Sequence, residues 1–157
     1  MSYEFIKMSQ TQAEDIAYHW HYDGEYSFYD FEADPEDLAE FLDPKGRGHA
    51  YYVVKKENQI IGFFSFNEDK DHSVDIGLGI KPEWTGRGYG FNFLKAGLKY
   101  AVSKFNPQKM TLSVATFNQR AIKVYEKAGF KPVEIFMQDT NGSRFEFLKM
   151  EYECKHK

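Results

Sequence analysis

Gly86, Gly88 and Gly90 alternate between an apolar run that ends at Ile80 and a helical pattern that begins near Phe91. A glycine-rich turn from strand to helix leaves backbone N–H groups free at the positive end of the helix, which makes an anion site. Three ligand chemistries use such a turn. A Walker A loop needs a longer glycine spacing followed by Lys and Ser or Thr, and no such string occurs. A dinucleotide fingerprint needs a third glycine where this chain has Phe91 or Phe93, and Lys and Asn-Pro lie where its acidic residue is wanted. The third chemistry is a pyrophosphate held by the loop amides, with the rest of the ligand running along the preceding strand.

A second group of residues has chemistry of the opposite sign. Between Asp23 and Asp43 there are nine carboxylates and no Lys or Arg, interleaved with aromatics. That mixture suits a cationic amine, although the same acids also serve simply to solvate two helices. His19, His21, His49, His72 and His156 have no metal-ligand spacing, so no metal is expected. The net charge of −4 and the absence of a basic patch exclude nucleic acid as the expected partner. With 157 residues and 42% hydrophobic content, the chain is expected to be a single domain over 1–157 with its own core. It has no membrane-length apolar stretch, no charged-then-apolar leader and one cysteine, Cys154, which together point to a cytoplasmic protein.

These groups must be positioned by the elements around them. Residues 3–8 read as a strand, and Ser9 with Gln12 forms a capping box for a helix over 9–21. Residues 22–33 have no period and read as a long functional loop. Asp34-Pro35 opens a second helix, which Asp43-Pro44 ends. Residues 50–54 and 59–66 form a hairpin. From Val74 to Ile80 the pattern alternates strictly, with Asp75, Gly77 and Gly79 on one face; two glycines there mark a close approach of another backbone or a ligand. After the glycine turn, Phe91, Leu94, Leu98, Ala101, Val102 and Phe105 trace a helical stripe. A strand through Met110, Leu112 and Val114 follows, and Asn118 caps a helix with the stripe Ala121, Val124, Tyr125 and Ala128. Residues 130–137 and 143–152 pair through an Asn141-Gly142 turn. The order β-α-α-β-β-β-α-β-α-β-β predicts an α/β class with a mixed, mostly antiparallel sheet, and the crossover through 73–115 makes its two strands parallel neighbours.

Thr85-Gly-Arg-Gly-Tyr-Gly90, after a strand ending Ile80-Lys-Pro82, resembles the acetyl-CoA loop of the GCN5-related N-acetyltransferase (GNAT) family. Asn118-Gln-Arg-Ala-Ile-Lys-Val-Tyr-Glu-Lys-Ala-Gly-Phe130 is similar to that family's second signature, and the element order matches the family fold. Thr85 departs from the family's usual Gln or Arg, and Ser113 stands where members that acetylate ribosomal-protein N-termini carry Glu. The resemblance implies an acetyl-CoA-dependent N-acetyltransferase in which a primary amine attacks the acetyl carbonyl directly. It implies that Gly86, Arg87, Gly88, Tyr89, Gly90 and Phe91 form the pyrophosphate wall. Main chain at Leu78, Gly79 and Ile80 would lie beside the pantetheine arm, with Asn118 as a further cofactor contact. Tyr125 resembles the general acid, although it also shares the apolar stripe of its helix. Asp75 is the best carboxylate for a base acting through water. Trp20, Tyr26, Phe28 and Tyr29 occupy the part of the fold that forms the acceptor pocket, for a small-molecule or peptide amine. Terminal hairpins dimerise in some relatives, so a homodimer through 130–152 is a further expectation. The rival functions are a non-catalytic acyl-CoA sensor, against which Tyr125 argues, and a binding module for a basic partner.

Overall fold

The computed structural model describes residues 3–154, so His156 lies outside the described residues. Seven strands form one sheet in the order β1-β2-β3-β4-β5-β7-β6. They are β1 Glu4–Lys7, β2 Tyr51–Lys56, β3 Gln59–Glu68, β4 Ser73–Ile80, β5 Lys109–Ala115, β6 Lys131–Thr140 and β7 Ser143–Glu153. Every pairing is antiparallel except β4 with β5. Tight turns set two of the registers. Glu57 and Asn58 have φ of 52° and 65° between β2 and β3, and Asn141 and Gly142 have 51° and 75° between β6 and β7, the mirror-image turns that match strand twist.

The helices are α1 Gln10–His19, α2 Pro35–Leu42, α3 Pro44–Arg47, α4 Gly90–Phe105 and α5 Gln119–Ala128. α1 starts with the full capping box, Ser9 side chain to Gln12 N–H and Gln12 side chain back to Ser9 N–H. Where the sequence reads as a stop after Asp43, the chain instead forms α3, because Asp43 accepts from Lys45 N–H and Pro44 takes the first helical position. The unpatterned segment 22–33 winds into two 3₁₀ turns, Gly24–Tyr29 and Phe31–Ala33.

The two faces of the sheet hold separate cores. Phe64 and Phe66 of β3 pack with Phe93, Leu94 and Leu98 of α4, while Val53 and Phe63 face Ala13, Ile16, Trp20 and Phe41. This is strand alternation at work, with successive β3 side chains serving opposite layers. The stripe of α4 differs from its sequence reading. Phe93 and Gly97 are buried, whereas Phe91 is half-buried and Val102 is 36% exposed. Gly97 explains the rotation, because a Cβ there would overlap the Phe64 ring. A glycine that makes room for a ring carries no signal in an apolar pattern. In α5 the buried position is Ile122, beside the expected stripe.

β4 and β5 pair only through Ser73, Val74 and Asp75 with Lys109, Met110 and Thr111. Both strands continue, β4 to Ile80 and β5 to Ala115, but they diverge and β5 stays with β7. The sheet is therefore open between the C-terminal halves of its two parallel strands.

Candidate functional site

The opening is a cleft of about 480 Å³, walled by Ile76–Ile80 of β4, Leu112–Val114 of β5, the glycine turn and the first turns of α5. Trp20, Tyr22, Tyr26 and Tyr29 close its remaining side. Lys81 N–H donates to Ile61 C=O, so the backbone groups of Gly79 and Lys81 turn toward β3. By strand alternation those of Leu78 and Ile80 face the gap, and Ile80 C=O there accepts from the Tyr22 hydroxyl at 2.8 Å. The glycines behind this strand have a packing cause. A Cβ on Gly77 would meet Ser65 Oγ at 2.5 Å, and one on Gly79 would meet the Phe63 ring at 2.5 Å. The close approach read from sequence at these two positions is thus made by side chains of β3.

At the end of β4 the backbone turns through Gly86 and Gly88, with φ of 72° and 81°, a left-handed conformation that favours glycine. Nothing lies within 4 Å of a Cβ placed on Gly88, so the turn is open. Tyr89 gives α4 no side-chain cap, which leaves the first amides of this 16-residue helix facing outward. These features fit an extended anionic ligand, with free strand amides for its arm and an uncapped helix end for its charge. Gly86, Gly88 and Gly90 line the cleft. Arg87 is exposed beside it. Tyr89 packs on Trp84 at 4.8 Å, and Phe91 lies under Lys127 at 4.5 Å.

Asn118 is buried; its Oδ1 accepts from Ala121 N–H at 3.2 Å and its Nδ2 donates to the Tyr29 hydroxyl at 3.2 Å. One side chain thus caps α5 and holds the aromatic loop. Tyr125, one helical stretch on, lines the cleft and is half-buried. Burial, with Tyr29 nearby, raises its phenol pKa well above the usual value, so the hydroxyl keeps its proton. Among the described residues, no hydrogen bond ties that hydroxyl.

Asp75 does not share this cleft. It lines an adjoining hollow of about 570 Å³ with Asp30, Asp34, Asp37 and Glu40. Ile76, Gly77, Ser113, Tyr29 and Phe31 line both spaces, so they form the common wall. Thr111 Oγ1 donates to Asp75 at 2.7 Å, yet partial burial still raises the carboxyl above its ordinary range. Asp37 is raised too, by burial and then by Asp34, Glu40 and Glu36. No Lys or Arg is among the described residues that wall the hollow. Of the four aromatics singled out in the sequence, Trp20, Tyr26 and Tyr29 line the cleft, whereas Phe28 lines only the hollow and packs on Phe145 at 4.7 Å. Trp20 is 4% exposed and its Nε1 has no partner among the described residues. Sequence reasoning missed Tyr22, Arg120 and the place of the exposed Asp37 and Glu40 along the hollow. Arg120 sits inside the Asn118 motif, two residues after the cap.

The loop itself is held at several points. His21 contacts Asp30 at 3.1 Å, Asp30 accepts from Tyr22 N–H, and Asn141 Nδ2 donates to Phe28 C=O at 2.8 Å. The His21 pKa is raised, first by the Asp30 hydrogen bond and then by the Tyr18 carbonyl.

The acetyltransferase (GNAT) domain family model matches residues 4–131. An uncharacterised N-acetyltransferase of Bacillus subtilis (strain 168), YycN, is 27% identical over 93 residues. That match covers 57% of this chain and 59% of the relative, so the chain spans only part of that relative's length. A GNAT-family acetyltransferase of Bacillus anthracis superposes with a TM-score of 0.76 at 19% identity, covering 98% of this chain and 95% of that one. A spermidine N-acetyltransferase SpeG chimera from Vibrio cholerae and hSSAT superposes with a TM-score of 0.74 at 20% identity, covering 98% and 96%.

Proposed function

Because this chain belongs to the GNAT acetyltransferase family, we propose that it acts as one catalytic domain that transfers the acetyl group of acetyl-CoA to a small cationic amine. The observation that carries this reading is the open gap between β4 and β5, which runs from the gap-facing backbone of Leu78 and Ile80 to the uncapped glycine turn and borders an acidic hollow. Acetyl-CoA, when bound, supplies an activated thioester. The amides of 86–91 and the α4 N-terminus hold its pyrophosphate, and Leu78 and Ile80 hold its arm. The amine nitrogen forms its bond to the acetyl carbon as the carbon–sulfur bond breaks. Tyr125 Oη holds the proton that the departing sulfur takes.

The acceptor enters through the hollow, where Asp37, Glu40 and Asp75 stand along a wall that no Lys or Arg lines. Superposition on a spermidine N-acetyltransferase supports the fold alone; the carboxylates are what favour an acceptor with more than one cationic nitrogen. The apolar side chains Val133, Ile135 and Met137 of edge strand β6, 51%, 61% and 47% exposed, support assembly through that strand.

Calorimetry with acetyl-CoA, and thiol release with a panel of mono-, di- and polyamines, test the reading; absence of acetyl-CoA binding sinks it. In the double variant Asp37→Asn, Glu40→Gln, KM for a polyamine should rise about tenfold or more while that for a monoamine changes little. Equal shifts for both would dismiss the acidic hollow as the acceptor site.

A free alkylamine is mostly protonated at neutral pH, so a base is required. Asp75 is the proposed one, working through water from the hollow. Its raised pKa places the acid limb of kcat/KM above the ordinary carboxylate range, and activity falls as pH drops through that limb. Asp75→Asn should lower neutral-pH activity about a hundredfold and erase this limb. A pH profile that matches wild type rejects the assignment.

A further inference from the structure

We infer that Arg120 makes a second contact to the phosphates of the bound donor and, through Tyr26, ties donor binding to the loop that walls the acceptor hollow. This inference rests on the acetyl-CoA reading above. Arg120 is the second residue of α5, and its side chain lines the cleft beside the glycine turn. Its guanidinium carbon lies 4.4 Å from the centre of the Tyr26 ring. Its Nη1 is 3.9 Å from where a Cβ on Gly86 would stand. Among the described residues no carboxylate forms an ion pair with it. A cation that is not neutralised therefore borders the open, positive-φ turn.

A guanidinium can serve two partners at once. Stacked on a ring by its face, it keeps its in-plane N–H fork free for a phosphate. Tyr26 belongs to the 3₁₀ turn Gly24–Tyr29, and this turn docks on the same short stretch that carries Arg120. The Phe117 ring meets Phe28 at 5.5 Å and Tyr29 at 6.1 Å, and Asn118 holds the Tyr29 hydroxyl. Residues 117–120 thus touch the donor turn on one side and the acceptor loop on the other. A phosphate that fixes Arg120 also fixes the platform under Tyr26. Donor binding then orders the loop before the amine arrives, and the coupling is reciprocal by linkage.

The experiment compares wild type, Arg120→Gln and Arg120→Lys. Activity is read as kcat/KM with acetyl-CoA and with S-acetyl-pantetheine, which keeps the thioester arm and lacks the pyrophosphate. Loop order is read as hydrogen exchange of residues 24–29 with and without acetyl-CoA. Arg120→Gln should lower kcat/KM for acetyl-CoA about tenfold more than that for S-acetyl-pantetheine, and abolish the protection that acetyl-CoA gives to 24–29. Arg120→Lys should recover part of the acetyl-CoA activity but not the protection, since a lysine lacks the planar stack. Equal losses with both donors, undiminished acetyl-CoA activity, or protection retained in Arg120→Gln would each overturn the proposal. Failure of the wild-type protein to bind acetyl-CoA would instead strike the donor reading itself.

Discussion

Tyr125→Phe should lower kcat by about a hundredfold to ten-thousandfold while leaving acetyl-CoA affinity nearly intact. The substitution removes one oxygen and keeps the ring, so the contact with Phe130, at 6.0 Å between centroids, survives. Because no hydrogen bond among the described residues uses the Tyr125 hydroxyl, its loss strands no partner and costs little stability. A purely structural tyrosine would therefore give an unchanged rate, and that result would remove Tyr125 as the acid. The pH dependence sharpens the test. Burial raises the phenol pKa, so across neutral pH the group is a protonated donor. It is also a weak acid, useful only once negative charge has grown on the sulfur that leaves. The wild-type profile should accordingly show no basic limb from Tyr125 in the neutral range, and Tyr125→Phe should lower the whole profile without shifting its acid limb. A shifted acid limb would mean that the hydroxyl tunes the base.

Local chemistry in this chain was legible in the sequence, and distant packing was not. Ser9 with Gln12, Asp34 with Pro35 and Asn118 each announce a helix start, because a cap is a contact within three residues. The glycine turn was equally readable, since its φ values and its place before α4 are sequence-local demands. The hollow is different. Asp37 and Glu40 belong to an acidic run whose members look alike, and only the packing of α2 against the sheet decides which of these exposed carboxylates line the hollow with Asp75. Asp75 itself alternates onto the expected face, but the point where β4 leaves β5 decides whether it meets the cleft or the hollow. That point follows the last paired residues, Asp75 and Thr111, and no residue type marks it. The Tyr22 hydroxyl on Ile80, 58 positions away in sequence, is likewise invisible to any local pattern.

Phe64→Ala should destabilise the fold by about 3–5 kcal/mol, the largest single effect expected in this core. Phe64 is fully buried and packs against Phe5, Phe66 and Phe93 at 5.8, 5.5 and 4.7 Å, with Gly97 of α4 directly above its ring. Truncation leaves a cavity between β3 and α4 that two rigid elements collapse around poorly. Gly97 makes the claim specific. In the wild-type chain Gly97→Ala forces a methyl into the Phe64 ring, an overpacking cost of about 1–3 kcal/mol, against a gain of about 1 kcal/mol in helix propensity. The net effect should be destabilising. In a Phe64→Leu background the ring edge is gone, and Gly97→Ala should become neutral or stabilising. Urea denaturation of the two single variants and the double variant measures this coupling, and additivity would show that the ring does not set the seat of α4. The consequence reaches the site, because Phe64 is paired in register with Leu78 and α4 begins at the glycine turn. If Phe64 sets the height of α4 above β4, Phe64→Leu should weaken acetyl-CoA binding in proportion to lost stability, and adding Gly97→Ala should restore both together.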